Sequence, residues 1–203
     1  MSLNSQLLMI YINDRLNDFD LDEALAQLSE QRREQTLRFK HEAGRRQSAA
    51  AYLLLCEALQ KEYGITEKPL FDYGEHGKPT IVGHPDIHFN LSHCREAAVC
   101  VVSSQPVGID VESFREYKDS LVRYTMNEHE QQLIAQAERP EVEFTRLWTQ
   151  KEAVLKLQGT GLRNDMKTVL TGTDVVRTVV NLERGYVYSV AALSACPCDS
   201  STS

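Results

Sequence analysis

The sequence predicts an α+β fold made of two pseudo-symmetric halves, each a small antiparallel sheet packed with helices. Helical segments are followed by short strand-like segments, and this order occurs twice along the chain. The chain has 203 residues, of which 42% are hydrophobic, so it can bury a core as one domain or as two small ones packed together. We expect an N-terminal half over residues 1–106, a C-terminal half over residues 107–195 and a disordered tail over residues 196–203.

The first half is predicted to contain strands at both ends and helices between them. Asp20 is placed to cap the first helix, and Gly64 follows the third helix as a stop signal. The third helix is the clearest, because alanine and leucine favour helix and are frequent in it. Two glycines and a proline predict a tight loop at residues 74–79. The segments are a strand at 7–12, helices at about 21–28, 30–39 and 47–63, and strands at 70–73, 87–91 and 97–102.

The second half is predicted to repeat this order loosely. A strand at residues 107–111 follows the strands at 87–91 and 97–102 after turn-length gaps, so we expect the three to form an antiparallel arrangement with helices to one side. The remaining segments are a helix capped by Asn127 and reaching about residue 138, a helix at about 142–158 between Pro140 and Gly159, and strands at 168–171, 175–182 and 186–193.

The charge of the chain argues against general nucleic-acid binding. The formal net charge is −7 and the pI is about 5.4, whereas nucleic-acid binding relies on a basic surface. One segment departs from this balance, because residues 32–46 hold six arginines or lysines against two glutamates. We name residues 32–46 the cationic segment.

The cysteines indicate a cytoplasmic protein with reduced thiols. They are odd in number, and they lie in or beside apolar runs or in the tail. Cys196 and Cys198 have no second pair of ligands, so we expect a loose tail there and not a metal site. No signal peptide or membrane span is predicted. The five cysteines are Cys56, Cys94, Cys100, Cys196 and Cys198.

The segment Val107-Gly108-Ile109-Asp110-Val111-Glu112 alternates apolar and acidic residues near the middle of the chain. In a strand, this alternation places Asp110 and Glu112 on one face and Ile109 and Val111 on the other. Two carboxylates that share a face suit Mg²⁺, which binds one or two carboxylates and keeps water and phosphate oxygen in its remaining positions. An edge strand with a solvated acidic face explains the same pattern.

The helix predicted around residues 144–156 carries a lysine on its apolar side. At about 100° per residue, Lys151 falls inside the apolar arc, while Glu152 and Lys156 lie together beside it. A weak surface salt bridge explains Glu152 and Lys156. It does not explain Lys151, because a buried ammonium needs a partner or an anionic ligand. The arc consists of Phe144, Leu147, Val154 and Leu155, with Trp148 at its margin.

Glu152 is the residue that would complete a metal site. Beside Asp110 and Glu112, it gives three carboxylates that can hold Mg²⁺ and leave room for phosphate oxygens. Lys151 or Lys156 would then meet those phosphates. A metal ion with lysines nearby is typical of phosphoryl-type transfer, in which positioning and charge neutralisation do most of the catalysis.

Ser92 and His93 end a predicted strand with polar side chains. They follow the Gly77-Lys78-Pro79 loop and precede the acidic strand, so we place them at the mouth of the same pocket. A lone histidine is more often structural, and this alternative stays open.

Taken in order, these motifs resemble a known enzyme family. Their order and spacing from about Arg32 to Leu162 are similar to those of the 4′-phosphopantetheinyl transferases of the longer, Sfp-type branch. Each motif alone is weak, but the ordered set is highly specific. The set is Gly77-Lys78-Pro79, Phe89-Asn90-Leu91-Ser92-His93, Val107-Gly108-Ile109-Asp110-Val111-Glu112, Trp148-Thr149-Gln150-Lys151-Glu152-Ala153-Val154-Leu155-Lys156 and Gly159-Thr160-Gly161-Leu162.

The resemblance implies an enzyme that moves the phosphopantetheine arm of coenzyme A onto a serine of an apo acyl or peptidyl carrier protein. Adenosine 3′,5′-bisphosphate is the implied second product, and Mg²⁺, with Mn²⁺ as the alternative, is the implied metal. The resemblance also implies a monomer with its site between the two halves. The acidic charge and the lack of an apolar span predict neither nucleic acid nor membrane as a partner.

The resemblance implies roles for individual residues as well. Asp110, Glu112 and Glu152 would hold the metal on the pyrophosphate, and Asp110 and Glu152 count among the catalytic residues. Glu152 is the candidate base for the serine hydroxyl, while Lys156 would stabilise the pyrophosphate and the leaving group. The implied coenzyme A contacts are Lys78, Ser92, His93, Lys151, Lys156 and, at the 3′-phosphate, Arg46 with Arg32 or Arg33.

Two positions depart from the family pattern. Gln35 stands where a basic residue is frequent, and Cys56 stands where an arginine is expected, so the expected affinity for the 3′-phosphate is lower.

Two other functions remain compatible with the residues. A different metal-dependent phosphodiester enzyme would not depend on coenzyme A, and a non-catalytic module that binds coenzyme A or carrier proteins would not need the three carboxylates and two helix lysines that this chain retains.

Overall fold

The structure is a computed structural model, and it describes residues 8–74, 77–159, 166–171 and 175–193. The helices are α1 Leu21–Gln27, α2 Glu30–Leu37, α3 Glu42–Tyr63, α4 Asp119–Thr125, α5 Glu128–Gln136 and α6 Pro140–Gln158. The strands are β1 Leu8–Asn13, β2 Phe71–Tyr73, β3 Pro79–Ile81, β4 His88–His93, β5 Ala98–Ser103, β6 Val107–Ser113, β7 Val175–Asn181 and β8 Tyr186–Ala192. The predicted α+β class is confirmed.

The strands form small antiparallel sheets that pack against helices. Their orders are β1-β5-β4, β2-β3 and β6-β8-β7. The helix α3 covers the first sheet, α6 covers the third, and the first and third sheets also contact each other through apolar side chains. These three interfaces include Tyr52, Leu55 and Phe89, then Ala153, Leu157 and Ala191, and finally Val101, Ile109 and Val190.

The strand β6 does not pair with β5, which corrects the expected arrangement. It pairs with β8 in the other sheet, with Ile109 opposite Val190. Its free edge lies along β4, where the Ile109 N–H donates to Asn90 Oδ1 at 2.9 Å and the Val111 N–H to Ser92 Oγ at 3.4 Å. Side chains of β4 therefore satisfy the edge amides of β6, and this contact brings Ser92 beside the acidic strand.

Other segments differ from the sequence prediction. Residues 168–171 were expected as a strand, but Val169–Thr171 is a short 3₁₀ helix, because Thr171 bonds back to the carbonyl of Thr168 with both its N–H and its hydroxyl. The loop expected at 74–79 ends in β3, which pairs with β2. The helix α4 was not expected, because no side chain caps its first turn. The helix α3 begins earlier than expected, at Glu42.

The predicted helix ends are confirmed where a cap was identified. The Asp20 side chain accepts from the Glu23 N–H, and Asn127 forms a capping box with Glu130. Gly64 and Gly159 end their helices in the left-handed conformation. The boundary at 106/107 stays a prediction. The predicted tail and the Thr160-Gly161-Leu162 part of the last motif lie outside the described residues. Within the described part of the chain, none of the helices combines the length and the apolar character needed to cross a membrane.

Candidate active site

Gly108 brings β6 into direct contact with the backbone of α6. A Cβ atom at this position would lie 2.1 Å from the carbonyl oxygen of Ala153 and 2.4 Å from the amide nitrogen of Leu157. Only glycine fits such an approach. Asp110 and Glu112 then follow on the strand, opposite the turns of α6 that carry Glu152 and Lys156.

Asp110 is the centre of the site. Its Oδ1 atom pairs with Lys156 Nζ at 2.6 Å and accepts from Ser92 Oγ at 2.9 Å. Lys156 Nζ also donates to Ser92 Oγ at 3.0 Å. The carboxylate is only 4% exposed, and its buried Oδ2 atom has no hydrogen-bond partner. Leaving a buried charged oxygen unpaired costs on the order of a few kcal/mol, so this atom needs a ligand.

Glu112 and Glu152 are half-buried, and the charge of Asp110 affects the protonation of both. Burial raises the pKa of Glu112 and that of Glu152, the negative charge of Asp110 raises both further, and the charge of Lys156 opposes the increase. The nearby Trp148 side chain favours the ionised form of Glu112, so it lowers the pKa of that carboxyl. The charge of Asp110 thus acts on both Glu112 and Glu152, and Lys156 is the nearby cation.

The donor chemistry of this site fits a hard divalent cation. Carboxylate oxygens are the preferred ligands of Mg²⁺, and Asp110 offers one buried oxygen that no donor uses. A cation would also relieve the repulsion that raises the pKa of Glu112 and that of Glu152. As they stand, no three His, Cys, Asp or Glu side chains of the described residues are placed to hold an ion together. Lys156 provides the positive charge at Asp110 in this arrangement.

Arg32 and His93 lie next to each other, with His93 near Asp110 and Lys156. The Arg32 guanidinium donates to the carbonyl and the hydroxyl of Ser48, both at 3.1 Å, and to Gln35 at 3.5 Å. Its Nε atom is buried without a partner, and burial lowers the pKa of Arg32. Burial also lowers the pKa of His93 to about 4, and the charges of Arg32 and Lys156 act in the same direction. Arg32 thus places an incompletely paired cation next to a neutral imidazole.

Lys78 lies where β6 begins and α6 ends. Its Nζ atom donates to the carbonyl oxygens of Val107 at 3.1 Å and Leu157 at 3.0 Å, and burial lowers its pKa. A Cβ atom at Gly159 would lie 3.3 Å from the Lys78 side chain. The lysine therefore joins these two elements, and its contacts within the described residues use two of its three N–H bonds.

Two predicted coenzyme A contacts are not brought to this place. Arg46 binds Glu42 at 2.7 Å and the Phe19 carbonyl at 2.6 Å, and its contacts do not include Ser92 or His93. Lys151 is fully buried, pairs with Glu130 at 2.9 Å and donates to the Met166 carbonyl at 2.7 Å. Its partner is thus a side chain of α5 and not a phosphate, which corrects the assignment of Lys151.

The remaining predicted positions have plain surroundings. Arg33 is exposed on α2. Gln35 carries no charge, and its amide donates to the Tyr73 hydroxyl at 2.8 Å. Arg32 is therefore the cation beside His93. Cys56 lines a cleft with Ala26 and Lys68 about two turns along α3 from Ser48, and burial raises its pKa to about 11.

Three features of the site were not expected from the sequence. These are the Asn90 contact to β6, the effect of Trp148 on the pKa of Glu112, and the hydroxyl of Ser92 between Asp110 and Lys156. The alternation of Asn90 and Ser92 along one strand face was a usable signal for the first and the third. No local signal marked the second, which depends on how α6 packs against β6.

Comparisons with known proteins identify the family of the chain. Residues 106–191, which hold the acidic strand and α6, match the model of the 4′-phosphopantetheinyl transferase superfamily. A 4′-phosphopantetheinyl transferase of Bacillus subtilis is 32% identical over 157 residues, which are 75% of this chain and 70% of the relative. The transferase Sfp of Bacillus subtilis strain 168 is 28% identical over 156 residues, with the same coverage of both chains.

A cyanobacterial protein extends this range of relatives. The 4′-phosphopantetheinyl transferase HetI of a Nostoc species is 31% identical over 165 residues, which are 76% of this chain and 70% of HetI. Relatives above 30% identity thus match across most of both chains, and the matched segment of the family model contains Asp110, Glu112 and Glu152. The chain belongs to the 4′-phosphopantetheinyl transferase superfamily, in its Sfp-type branch.

Proposed function

We propose that this protein transfers the 4′-phosphopantetheine group of coenzyme A to a serine of an apo acyl or peptidyl carrier protein. The serine oxygen forms a bond to the phosphorus that bears the pantetheine arm. The bond from that phosphorus to the bridging pyrophosphate oxygen breaks, and adenosine 3′,5′-bisphosphate leaves with the electron pair. The serine proton passes to a base of the enzyme. The observation that supports this proposal is the buried Asp110 with its unpaired oxygen, beside Glu112, Glu152 and Lys156.

Asp110, Glu112 and Glu152 are the proposed metal ligands. Mg²⁺ held there, or Mn²⁺ in its place, would neutralise charge on the pyrophosphate oxygens. The three side chains come from β6 and α6, which Gly108 holds in backbone contact. Their spacing thus depends on rigid elements and not on loops.

Glu152 is the proposed base for the serine hydroxyl, directly or through water. Burial and the charge of Asp110 raise its pKa, which makes it a better proton acceptor than an exposed glutamate. Lys156 is the proposed cation for the pyrophosphate and the leaving oxygen. Its side chain is 29% exposed, so it can turn from Asp110 towards a bound phosphate.

Arg32, His93, Ser92 and Lys78 are the proposed contacts to coenzyme A. Arg32 is preferred over Arg46 at the 3′-phosphate, because Arg32 has a buried unpaired N–H whereas Arg46 has a carboxylate partner. His93 stays neutral above about pH 4, so it can donate one hydrogen bond without adding charge.

The test is the intact mass of an apo carrier protein after incubation with this protein, coenzyme A and Mg²⁺. We expect a gain of one phosphopantetheine group, its loss when EDTA is present, and adenosine 3′,5′-bisphosphate in equal amount. Acyl and peptidyl carriers are assayed side by side. Binding of coenzyme A without any mass gain on either carrier would indicate a non-catalytic module, and phosphodiester cleavage without coenzyme A would indicate a different metal-dependent enzyme.

A further inference from the structure

Lys151 and Glu130 form a buried ion pair that the proposed chemistry does not use. The exposed fractions of the two side chains are 0% and 5%, and Lys151 Nζ lies 2.9 Å from Glu130 Oε1. Building on the function proposed above, we infer that this pair is a positioning device, which fixes the rotation of α6 and thereby aims Glu152 and Lys156 at Asp110.

Every polar end of the pair is engaged by a different part of the chain. Glu130 Oε2 accepts from the Asn127 N–H at 2.8 Å, as part of the capping box that begins α5. Lys151 Nζ also donates to the Met166 carbonyl at 2.7 Å, on the chain that follows α6. One ammonium therefore ties α6 both to the start of α5 and to that later segment.

The pair acts on the site because Lys151 directly precedes Glu152 on the same helix. The contact of Gly108 with Ala153 and Leu157 sets the distance between α6 and β6, and Thr149 and Gln150 bond to Ser189 and Thr178 of the third sheet. Lys151 adds a further constraint on the rotation of α6, because its partner Glu130 belongs to α5. A rotation of about 30° moves a side-chain tip roughly 6 Å from the axis by about 3 Å. A displacement of about 1 Å can already cost on the order of 10²-fold in rate, so this rotation has to be fixed.

Stability alone gives little reason for charges at this place. Apolar residues of similar volume are often as stabilising as a buried ion pair, or more so, because both charges lose their hydration. What Lys151 and Glu130 add is a directional contact that favours one rotation of α6. The ammonium bonds to one carboxylate oxygen and one carbonyl, whereas an apolar contact at this position has no preferred direction.

The test compares the wild type with the double variant Lys151→Met, Glu130→Gln, which removes both charges and keeps an oxygen for the Asn127 amide. We expect kcat to fall about 10- to 100-fold while the KM for coenzyme A stays within about 3-fold, at a temperature at which circular dichroism shows the variant folded. The control is Arg146→Met on the same helix, because Arg146 pairs with Glu143 one turn away within α6. It should leave kcat within about 2-fold.

Trp148 supplies a readout that does not depend on turnover. It is the only tryptophan of the chain, it lies on α6, and it is near enough to Glu112 to lower the pKa of that carboxyl. We expect its emission maximum and its quenching by acrylamide to change in the folded double variant and not in Arg146→Met. This readout separates the inference from the proposed function, since it applies even if the wild type transfers nothing.

A milder variant covers the case in which the double variant does not fold. Glu130→Asp keeps both charges and shortens the carboxylate by one methylene, and we expect about a 5-fold lower kcat with an unchanged KM. An unchanged kcat and unchanged Trp148 emission in a folded variant of either kind would overturn the inference and leave the pair a purely structural contact.

Discussion

The helix α6 carries two lysines that each pair with a carboxylate of another element, and their surroundings differ. Lys151 and Glu130 are both buried, and the ammonium nitrogen and both carboxylate oxygens of this pair each have a partner. Lys156 and Asp110 pair at a shorter distance, 2.6 Å, but Asp110 keeps an unpaired buried oxygen. Its charge also raises the pKa of two further carboxyl groups, those of Glu112 and Glu152. The first pair is complete without a ligand, and the second is not.

Complete hydrogen bonding, more than burial or charge, thus distinguishes a structural ion pair from a ligand-binding site. Both lysines lie on one helix, and the sequence pattern alone assigned phosphate binding to either. A buried charge whose partners are all present has no need of a ligand. A buried oxygen without a donor, among carboxylates of raised pKa, marks the place where a cation and an anionic substrate lower the free energy.

The largest expected effect is that of Asp110→Asn on the incomplete pair. We expect at least about a 10³-fold loss of transfer, because an amide cannot replace the proposed metal ligand, measured as carrier mass gain over time. Stability should change little, since Asn keeps an acceptor for Ser92 and the half-exposed Lys156 can be hydrated.

Glu96→Gln is the matched control for Asp110→Asn. Glu96 is a half-buried carboxylate just after β4, and it bonds to Ser113 and Arg95 and not to the site. This variant should retain transfer. Near-normal turnover of Asp110→Asn at saturating Mg²⁺ would instead show that the incomplete pair is not the site.

Lys156→Met addresses the other member of that pair. We expect kcat to fall about 100-fold and the KM for coenzyme A to rise less than about 5-fold, because the charge is proposed to act on the leaving group. We also expect Mn²⁺ to bind the coenzyme A-free variant at least about tenfold more tightly, since the cation bonded to Asp110 is gone, with affinity measured by titration calorimetry. The opposite pattern, a raised KM with a constant kcat, would make Lys156 a binding residue only.

Gly108→Ala disturbs the packing on which both pairs depend. The added Cβ would lie 2.1 Å from the Ala153 carbonyl, so β6 and α6 have to separate. We expect about 3 kcal/mol or more of lost stability in urea unfolding, together with a loss of transfer. Gly74→Ala is the control, because no atom lies within 4 Å of a Cβ there, and it should change stability by less than about 1 kcal/mol. Equal effects of the two substitutions would contradict the close contact of β6 and α6.

Residues with a strong local signal were predictable from the sequence. Asp20, Asn127 and Gly159 act at helix ends as expected, because a cap is decided within a few residues. The alternation of the acidic strand placed Asp110 and Glu112 on one face, and the structure brings their charges together.

Features that depend on distant partners were not predictable. The partner of Lys151 is a capping residue of α5, and nothing near Lys151 in the sequence points to Glu130. The strand β6 joins β8 and not its neighbour β5, because side chains of β4 can satisfy its free edge. Short elements such as β3 and α4 have too few residues to show a period or a cap.

The smallest expected effect is on the pH dependence of stability, and it comes from His93 at the edge of the site. Burial, with the charges of Arg32 and Lys156, lowers its pKa from 6.5 to about 4, so between these values the unfolded chain binds a proton that the folded protein does not. Stability from His93 is therefore present above about pH 6.5 and is lost as the pH falls towards 4. His93→Gln lacks this dependence, so the gap in unfolding free energy, wild type minus variant, should fall by about 2 kcal/mol from pH 7.5 to pH 5.0. Glu112 and Glu152 titrate in both proteins and largely cancel in the difference. A gap that widens at low pH would show that His93 is protonated in the fold and pairs with Asp110, and the incomplete pair would then have a second cation.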